Sequence, residues 1–230
     1  MKRQIPNIIT LINLFCGTLA IYYIFENHWL MVCLLVAIAG IADFGDGFIA
    51  RAIGVSSPIG KDLDSLADMV SFGVVPGLIV FQLLQDPNTD GQLAFSALPA
   101  FLIPVGAALR LARFNISPDT SGDFYGLGTP GNAALIIGLL LIKVYDSYGL
   151  GRLVDLPIVL YLVCLICPLL MTSNIRMFSL KFKGQGWQAN EMRWIFVAIF
   201  IVLALIIKEA SIFVIMVIYV LISLITAFRE

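Results

Sequence analysis

Apolar residues fall in eight blocks along the chain, near 8–25, 29–50, 66–85, 93–113, 131–148, 156–173, 191–207 and 210–228. Each approaches the roughly 20 apolar residues that carry an α-helix across a bilayer. Polar positions collect in the short connections between blocks, so the pattern predicts an all-α polytopic transmembrane bundle of about eight spans, read as one integral-membrane domain over 1–230. Ahead of the first block, 5–10 reads as an interfacial segment in which Pro6 suits a first helical turn. Asn7, Thr10 and Asn13 recur every three residues and share one side of that helix. Such a stripe serves either hydrogen bonding between helices or contact with a polar headgroup at the mouth of a site.

Composition strengthens this picture. The chain is 60% hydrophobic and 13% charged, with a mean hydropathy of +0.98, whereas soluble domains are about a quarter charged. No nucleic-acid partner is expected. The net charge of −1 hides an asymmetry. Lys2, Arg3, Arg51, Lys61, Arg110, Arg113, Arg176, Lys181, Lys183, Arg193 and Arg229 fall on one side of the drawn spans, and only Lys143, Arg152 and Lys208 on the other. The positive-inside rule puts the first group, and both termini, in the cytoplasm. Lys2 and Arg3 could also open a signal peptide, but 17–25 lacks a small-residue cleavage site, so a retained first span is expected. Cys164 and Cys167 have redox spacing, yet with Cys16 and Cys33 they lie inside spans and read as small packing residues.

The connections differ in character. The stretch 53–61 has the Gly, Ser and Pro punctuation of a turn, and 86–91 is a turn on the opposite face. The loop 117–130 is rich in glycine and suited to lining a site. The basic stretch 177–188, with Phe178, Phe182 and Trp187, reads as a segment held in anionic headgroups.

Chemistry concentrates around four acids. Asp43 and Asp46 are three apart and Asp64 and Asp68 four apart, so each pair shares one face of a helix at the edge of an apolar block. Ionisable groups at such places are costly and mark functional sites. Two acidic faces meeting require a cation between them, and hard oxygen ligands favour magnesium, manganese or calcium over zinc. His28, the only histidine, belongs to the opposite face. Two divalent ions roughly 4 Å apart suit in-line displacement at phosphorus. Gly47 leaves room for a phosphate to approach the helix backbone, Gly60 could do the same, and Arg51 adds a fixed positive charge. A diphosphate site is the expectation; a metal or proton transporter using the same acids is the alternative.

Asp43, Asp46, Gly47, Ala50, Arg51, Gly60, Asp64 and Asp68 match, without a gap, the signature Asp-x2-Asp-Gly-x2-Ala-Arg-x8-Gly-x3-Asp-x3-Asp. On these residues the chain resembles the CDP-alcohol phosphotransferases, integral membrane enzymes in which an alcohol displaces CMP from a CDP-linked lipid. The resemblance implies that the four Asp residues hold two divalent cations, Mg2+ or Mn2+ with Ca2+ as a possible occupant, and that Asp68 is the general base. It further implies that Gly47, Arg51 and Ser57 hold the CDP moiety, joined by the stripe from Asn7 to Thr10. A six-span core over about 1–175, with additional spans over about 191–228, and a homodimer are expected on the same ground.

Segments 6–13, 57–68, 71–76, 110–115, 124–130 and 171–176 resemble the membrane-integral phosphatidylserine synthases within that family. CDP-diacylglycerol and L-serine are then the expected substrates, turned over at the cytoplasmic face of a prokaryotic inner membrane. Gly128 stands where the usual Gly-Leu-Pro-x-Pro pattern has proline, which predicts a looser loop. Arg110 and Arg113 suit the carboxylate of an amino-acid acceptor. They would equally suit glycerol phosphate or inositol phosphate, or act only as positive-inside anchors.

Overall fold

The computed structural model describes residues 4–54, 58–85, 94–116, 124–177 and 191–227. Lys2, Arg3, Ser57, Arg229, the whole turn at 86–91, the loop positions 117–123 and the basic stretch 178–190 lie outside the described residues. Eight helical rods follow in order among those described. They are α1 (Ile5–Phe25), α2 (Trp29–Ile53), α3 (Pro58–Asp68, continued by Met69–Val74 and Val75–Leu84), α4 (Phe95–Phe101, continued by Leu102–Ile116), α5 (Thr129–Tyr145), α6 (Pro157–Thr172), α7 (Glu191–Ile207) and α8 (Ser211–Ala227). Five apolar helical stretches are long enough to cross a membrane, and the last of them, Trp194–Ala227, is α7 and α8 joined by the turn Lys208–Ala210. The two shorter apolar helices are α5 and α6. The protein is an integral membrane protein.

Local sequence explains where the rods start and change pitch. Pro6, Pro76, Pro130 and Pro157 each sit in the first two positions of a helical segment, where a missing N–H costs nothing. Pro99 lies within the opening stretch of α4, which winds as a tighter 3-10 helix. The third rod starts well before the apolar block that announced it, so Asp64 and Asp68 both lie on its opening α-helical segment, and a π-helical stretch follows directly after Asp68. Turns of this kind recur at functional sites.

The only strand pairing among the described residues is a two-residue antiparallel ladder, Phe124 with Met177 and Tyr125 with Arg176. Two further bonds extend it, from the Gly126 N–H to the Ile175 carbonyl and from the Leu127 N–H to the Leu170 carbonyl, both 2.9 Å. Gly126 has φ +71°, and a Cβ there would lie 2.4 Å from the Met171 carbonyl oxygen, so only glycine lets the loop pass this close. Gly128 has φ −60° and ψ 143°, a conformation proline would also take. Backbone bonding to the end of α6 therefore supplies the rigidity that the missing proline was expected to cost.

Lipid-facing and core positions are both apolar, as a bilayer protein requires. Phe15, Ile41, Leu109 and Leu165 face outward, while Phe72, Ile79, Ile103, Ile136, Leu140 and Leu160 fill the centre. Small residues set the helix approaches, because lipid offers no hydrophobic drive for helices to associate. Ala20, Ala39, Ala97, Ala100 and Ala107 are fully buried. Cys164 and Cys167 are buried and free, in keeping with packing roles. On the side away from the acids, Lys143 pairs with Asp155.

Candidate metal and substrate site

The acids are delivered by α2 and α3, with α1 laid against both. Asp43 comes from the last three turns of α2, and Asp64 and Asp68 from one face of α3. One carboxylate oxygen from each of these three lies within 4.8 Å of the others. At that range they repel one another and need a shared cation to carry charge together. An oxygen of Asp64, Oδ1, is buried and has no hydrogen-bond partner. An all-oxygen set with an unused buried acceptor fits a hard divalent ion. His28 packs edge-on to Tyr23 at 6.0 Å, beyond the far end of α1.

Asp46 is placed differently. It is buried, at 6% exposure, and accepts a hydrogen bond from the Thr10 hydroxyl of α1 rather than joining the close cluster. Thr10 thus belongs to the site through Asp46. Asn7, its neighbour on the same stripe, donates to Gln4 at 3.4 Å and makes no hydrogen bond to an acid. The third member of the stripe, Asn13, is fully buried and donates from Nδ2 to Asp68 Oδ1 at 3.3 Å. Sequence reasoning noticed Asn13 only as part of the stripe; its spacing from Thr10, one helical turn, was the signal that both would meet acids.

Gly47 opens a space beside Arg51. A Cβ at Gly47 would have the two terminal guanidinium nitrogens of Arg51 as its neighbours, at 3.7 and 4.0 Å. The helix backbone here is covered only by a cation that can swing away, which suits a phosphate. Gly60 lies in the first turn of α3 and is half-buried. The same end of α3 is tied to α4, since Lys61 donates to the Asn115 carbonyl at 3.0 Å and the Asn115 amide donates to Ser65 Oγ at 2.8 Å.

The two arginines of α4 part company. Arg113 is exposed and donates from Nη1 to the Thr172 carbonyl at 2.7 Å, anchoring α4 to the end of α6. Arg110 turns inward, with its Nε buried and unpartnered. Its guanidinium carbon lies 6.0 Å from the Phe114 ring centre. Beside it, α5, α7 and α8 line an open apolar pocket of about 550 Å³, formed in part by Leu127, Pro130, Phe200, Met216 and Tyr219.

Comparison with known families matches residues 3–153 to the CDP-alcohol phosphatidyltransferases, a span that includes every acid of the cluster. The chain belongs to this family. Among curated proteins it is 34% identical over 196 residues to a CDP-diacylglycerol–serine O-phosphatidyltransferase of Helicobacter pylori, covering 85% of this chain and 79% of that one. A protein of the same name from Methanocaldococcus jannaschii is 32% identical over 172 residues, covering 75% and 72% of the two chains. A third, from Bacillus subtilis, is 29% identical over 198 residues and is covered over 99% of its length. As a member of the family, the chain is a phosphatidyltransferase acting on a CDP-linked donor.

Proposed function

We propose that this phosphatidyltransferase moves the phosphatidyl group of CDP-diacylglycerol to the hydroxyl of L-serine, giving phosphatidylserine and CMP. The observation that carries the reading is the convergence of Asp43, Asp64 and Asp68 from two helices, with a buried acceptor on Asp64 left unused. The names of the relatives support serine as the acceptor. Two divalent cations, Mg2+ or Mn2+, held by Asp43, Asp64 and Asp68 with Asp46 alongside, would neutralise the diphosphate and the departing CMP.

The chain's own groups do the rest. Arg51 and the bare backbone at Gly47 receive the CDP phosphates, with Ser57 and Gly60 from the following connection as further contacts. Thr10 holds Asp46 and Asn13 holds Asp68, so the acids stay oriented before substrate arrives. Asp68 accepts the proton of the serine hydroxyl as its oxygen bonds to the phosphorus of the phosphatidyl group. The bond from that phosphorus to the bridging oxygen breaks, and CMP leaves with the oxygen. The apolar pocket beside α5 supports a berth for an acyl chain of the donor, which gives the additional C-terminal spans a part in a single domain. Charge asymmetry supports a site facing the cytoplasm at a prokaryotic inner membrane, and a homodimer is part of the same reading.

Release of labelled CMP by the purified protein, tested with CDP-diacylglycerol against serine, glycerol phosphate and inositol phosphate, with and without chelator, is the deciding experiment. Release with serine that stops on chelation is expected. Release with another alcohol and not with serine would replace the acceptor, and undiminished release after complete removal of bound ions would overturn the metal role.

A further inference from the structure

Helix α5 begins with polar groups that have nothing to bond to. Thr129 and Asn132 are both fully buried, one turn apart on the same face. Thr129 Oγ1 lacks a hydrogen-bond partner, as do both the Oδ1 and Nδ2 of Asn132. Leaving a buried amide or hydroxyl unpaired is costly, and such groups in native proteins call for an explanation. No side chain caps this end of α5; in its first turn Pro130 has no N–H and the Asn132 N–H bonds to the Gly128 carbonyl at 2.9 Å, which leaves the N–H groups of Thr129 and Gly131 for an outside acceptor. Alongside lies the guanidinium of Arg110, whose Nη2 would be 3.6 Å from a Cβ on Gly128, the residue just before the helix. Arg110 Nε is itself buried and unpartnered.

The chemistry of the unused groups is specific. A helix N-terminus favours an anion through its free N–H groups and dipole, and arginine adds a planar donor pair suited to a carboxylate. Asn132 offers a donor and an acceptor together, which a zwitterion can use at once. Arg110 lies on α4 between Ala107, whose Cβ would be 3.0 Å from a Cβ on Gly73, and Asn115, whose amide donates to Ser65 Oγ at 2.8 Å, so it runs along the part of α3 that carries Asp68.

We propose that the start of α5, through Thr129, Asn132 and Arg110, is the pocket for the carboxylate and ammonium of the amino-acid acceptor. The inference rests on the serine reading above and deepens it. It makes Thr129 and Asn132 specificity-determining residues, and it separates Arg110, which faces the substrate, from Arg113, which ties helices together.

The test compares Asn132→Ala and Thr129→Val with the wild-type protein, full-length in phospholipid nanodiscs, by CMP release and thermal unfolding. Each variant is expected to raise the KM for L-serine tenfold or more while the KM for CDP-diacylglycerol stays within twofold. Because Asn132 has no partner before serine binds, Asn132→Ala should keep or raise the melting temperature in the absence of serine. L-Serinamide, which keeps the ammonium and hydroxyl but not the carboxylate, should be a poorer acceptor than serine for the wild type, and the preference should narrow in both variants. A serine KM within twofold of wild type, equal rises in both KM values, or a lower melting temperature for Asn132→Ala would overturn the pocket alone. A wild type inactive with serine would instead sink the function and the pocket together.

Discussion

The side-chain amide of Asn13 donates to a carboxylate oxygen of Asp68 across 3.3 Å, joining α1 to α3 over 55 positions of sequence. The contact engages one oxygen of Asp68 and, in the proposed reaction, leaves the other to meet the acceptor hydroxyl. The Asn13 backbone is held in turn, because its carbonyl accepts from Ser71 Oγ at 3.0 Å. A hydrogen bond to a charged group is worth about 1.5–3 kcal/mol. Asn13→Ala should therefore lower kcat by roughly ten- to a hundredfold, with a smaller change in the KM for CDP-diacylglycerol. Steady-state CMP release measures both, and an unchanged kcat would show that Asp68 is oriented without α1.

At Gly17, α1 packs tightly against α3. A Cβ there would lie 2.2 Å from Ser71 Oγ and 3.0 Å from the Ser71 Cα, so rotating the serine relieves only part of the clash. Overpacking of this kind costs about 1–3 kcal/mol. Gly17→Ala should lower the melting temperature and should lower activity as well, since Ser71 belongs to the π-helical stretch that begins one residue after Asp68. Adding Ser71→Ala removes the nearest clashing atom and should restore part of the stability. A double variant no more stable than Gly17→Ala would place the strain in the backbone.

Gly47 and Arg51 give a prediction confined to the donor lipid. An alanine methyl at Gly47 meets Arg51 at an ordinary contact distance of 3.7 Å, so Gly47→Ala should leave the melting temperature unchanged. It should nevertheless raise the KM for CDP-diacylglycerol several-fold, because the methyl occupies the face left bare for phosphate. Arg51→Lys should act in the same direction, through loss of the planar donor pair. Neither should move the KM for serine. A rise in both KM values would mean that donor and acceptor share this corner.

The eight rods were legible because apolar blocks of bilayer length leave the chain few alternatives. The acids were legible because Asp43 and Asp46, and again Asp64 and Asp68, recur at helical spacing beside glycine and arginine. The rotation of each helix about its axis was not written there. Asp46 gives one oxygen to Thr10 and is not one of the three acids within 4.8 Å of one another, and that choice follows from how α1 packs on α2. Arg110 and Arg113 likewise looked equivalent at three residues apart; only the end of α6, offering the Thr172 carbonyl to one of them, separates the two. Thr129 and Asn132 form no motif. What marks them is the absence of partners once α5 is packed, a property of the assembled bundle.

Single exchanges of acid for amide should sort the cluster by role. Asp43→Asn and Asp64→Asn each remove a charge from the three oxygens within 4.8 Å. Both should raise the Mg2+ or Mn2+ concentration needed for half-maximal activity tenfold or more, and saturating cation should restore part of the rate. Asp46→Asn can still accept from Thr10, so its cation requirement should move least. Asp68→Asn removes a ligand and the proposed proton acceptor together. Its kcat should fall at least a thousandfold and stay low at saturating cation, while CDP-diacylglycerol still binds. Cation titrations of CMP release across the four variants, with donor binding measured separately, provide the comparison. Rescue of Asp68→Asn by cation alone would assign the proton to another group and leave Asp68 a ligand only.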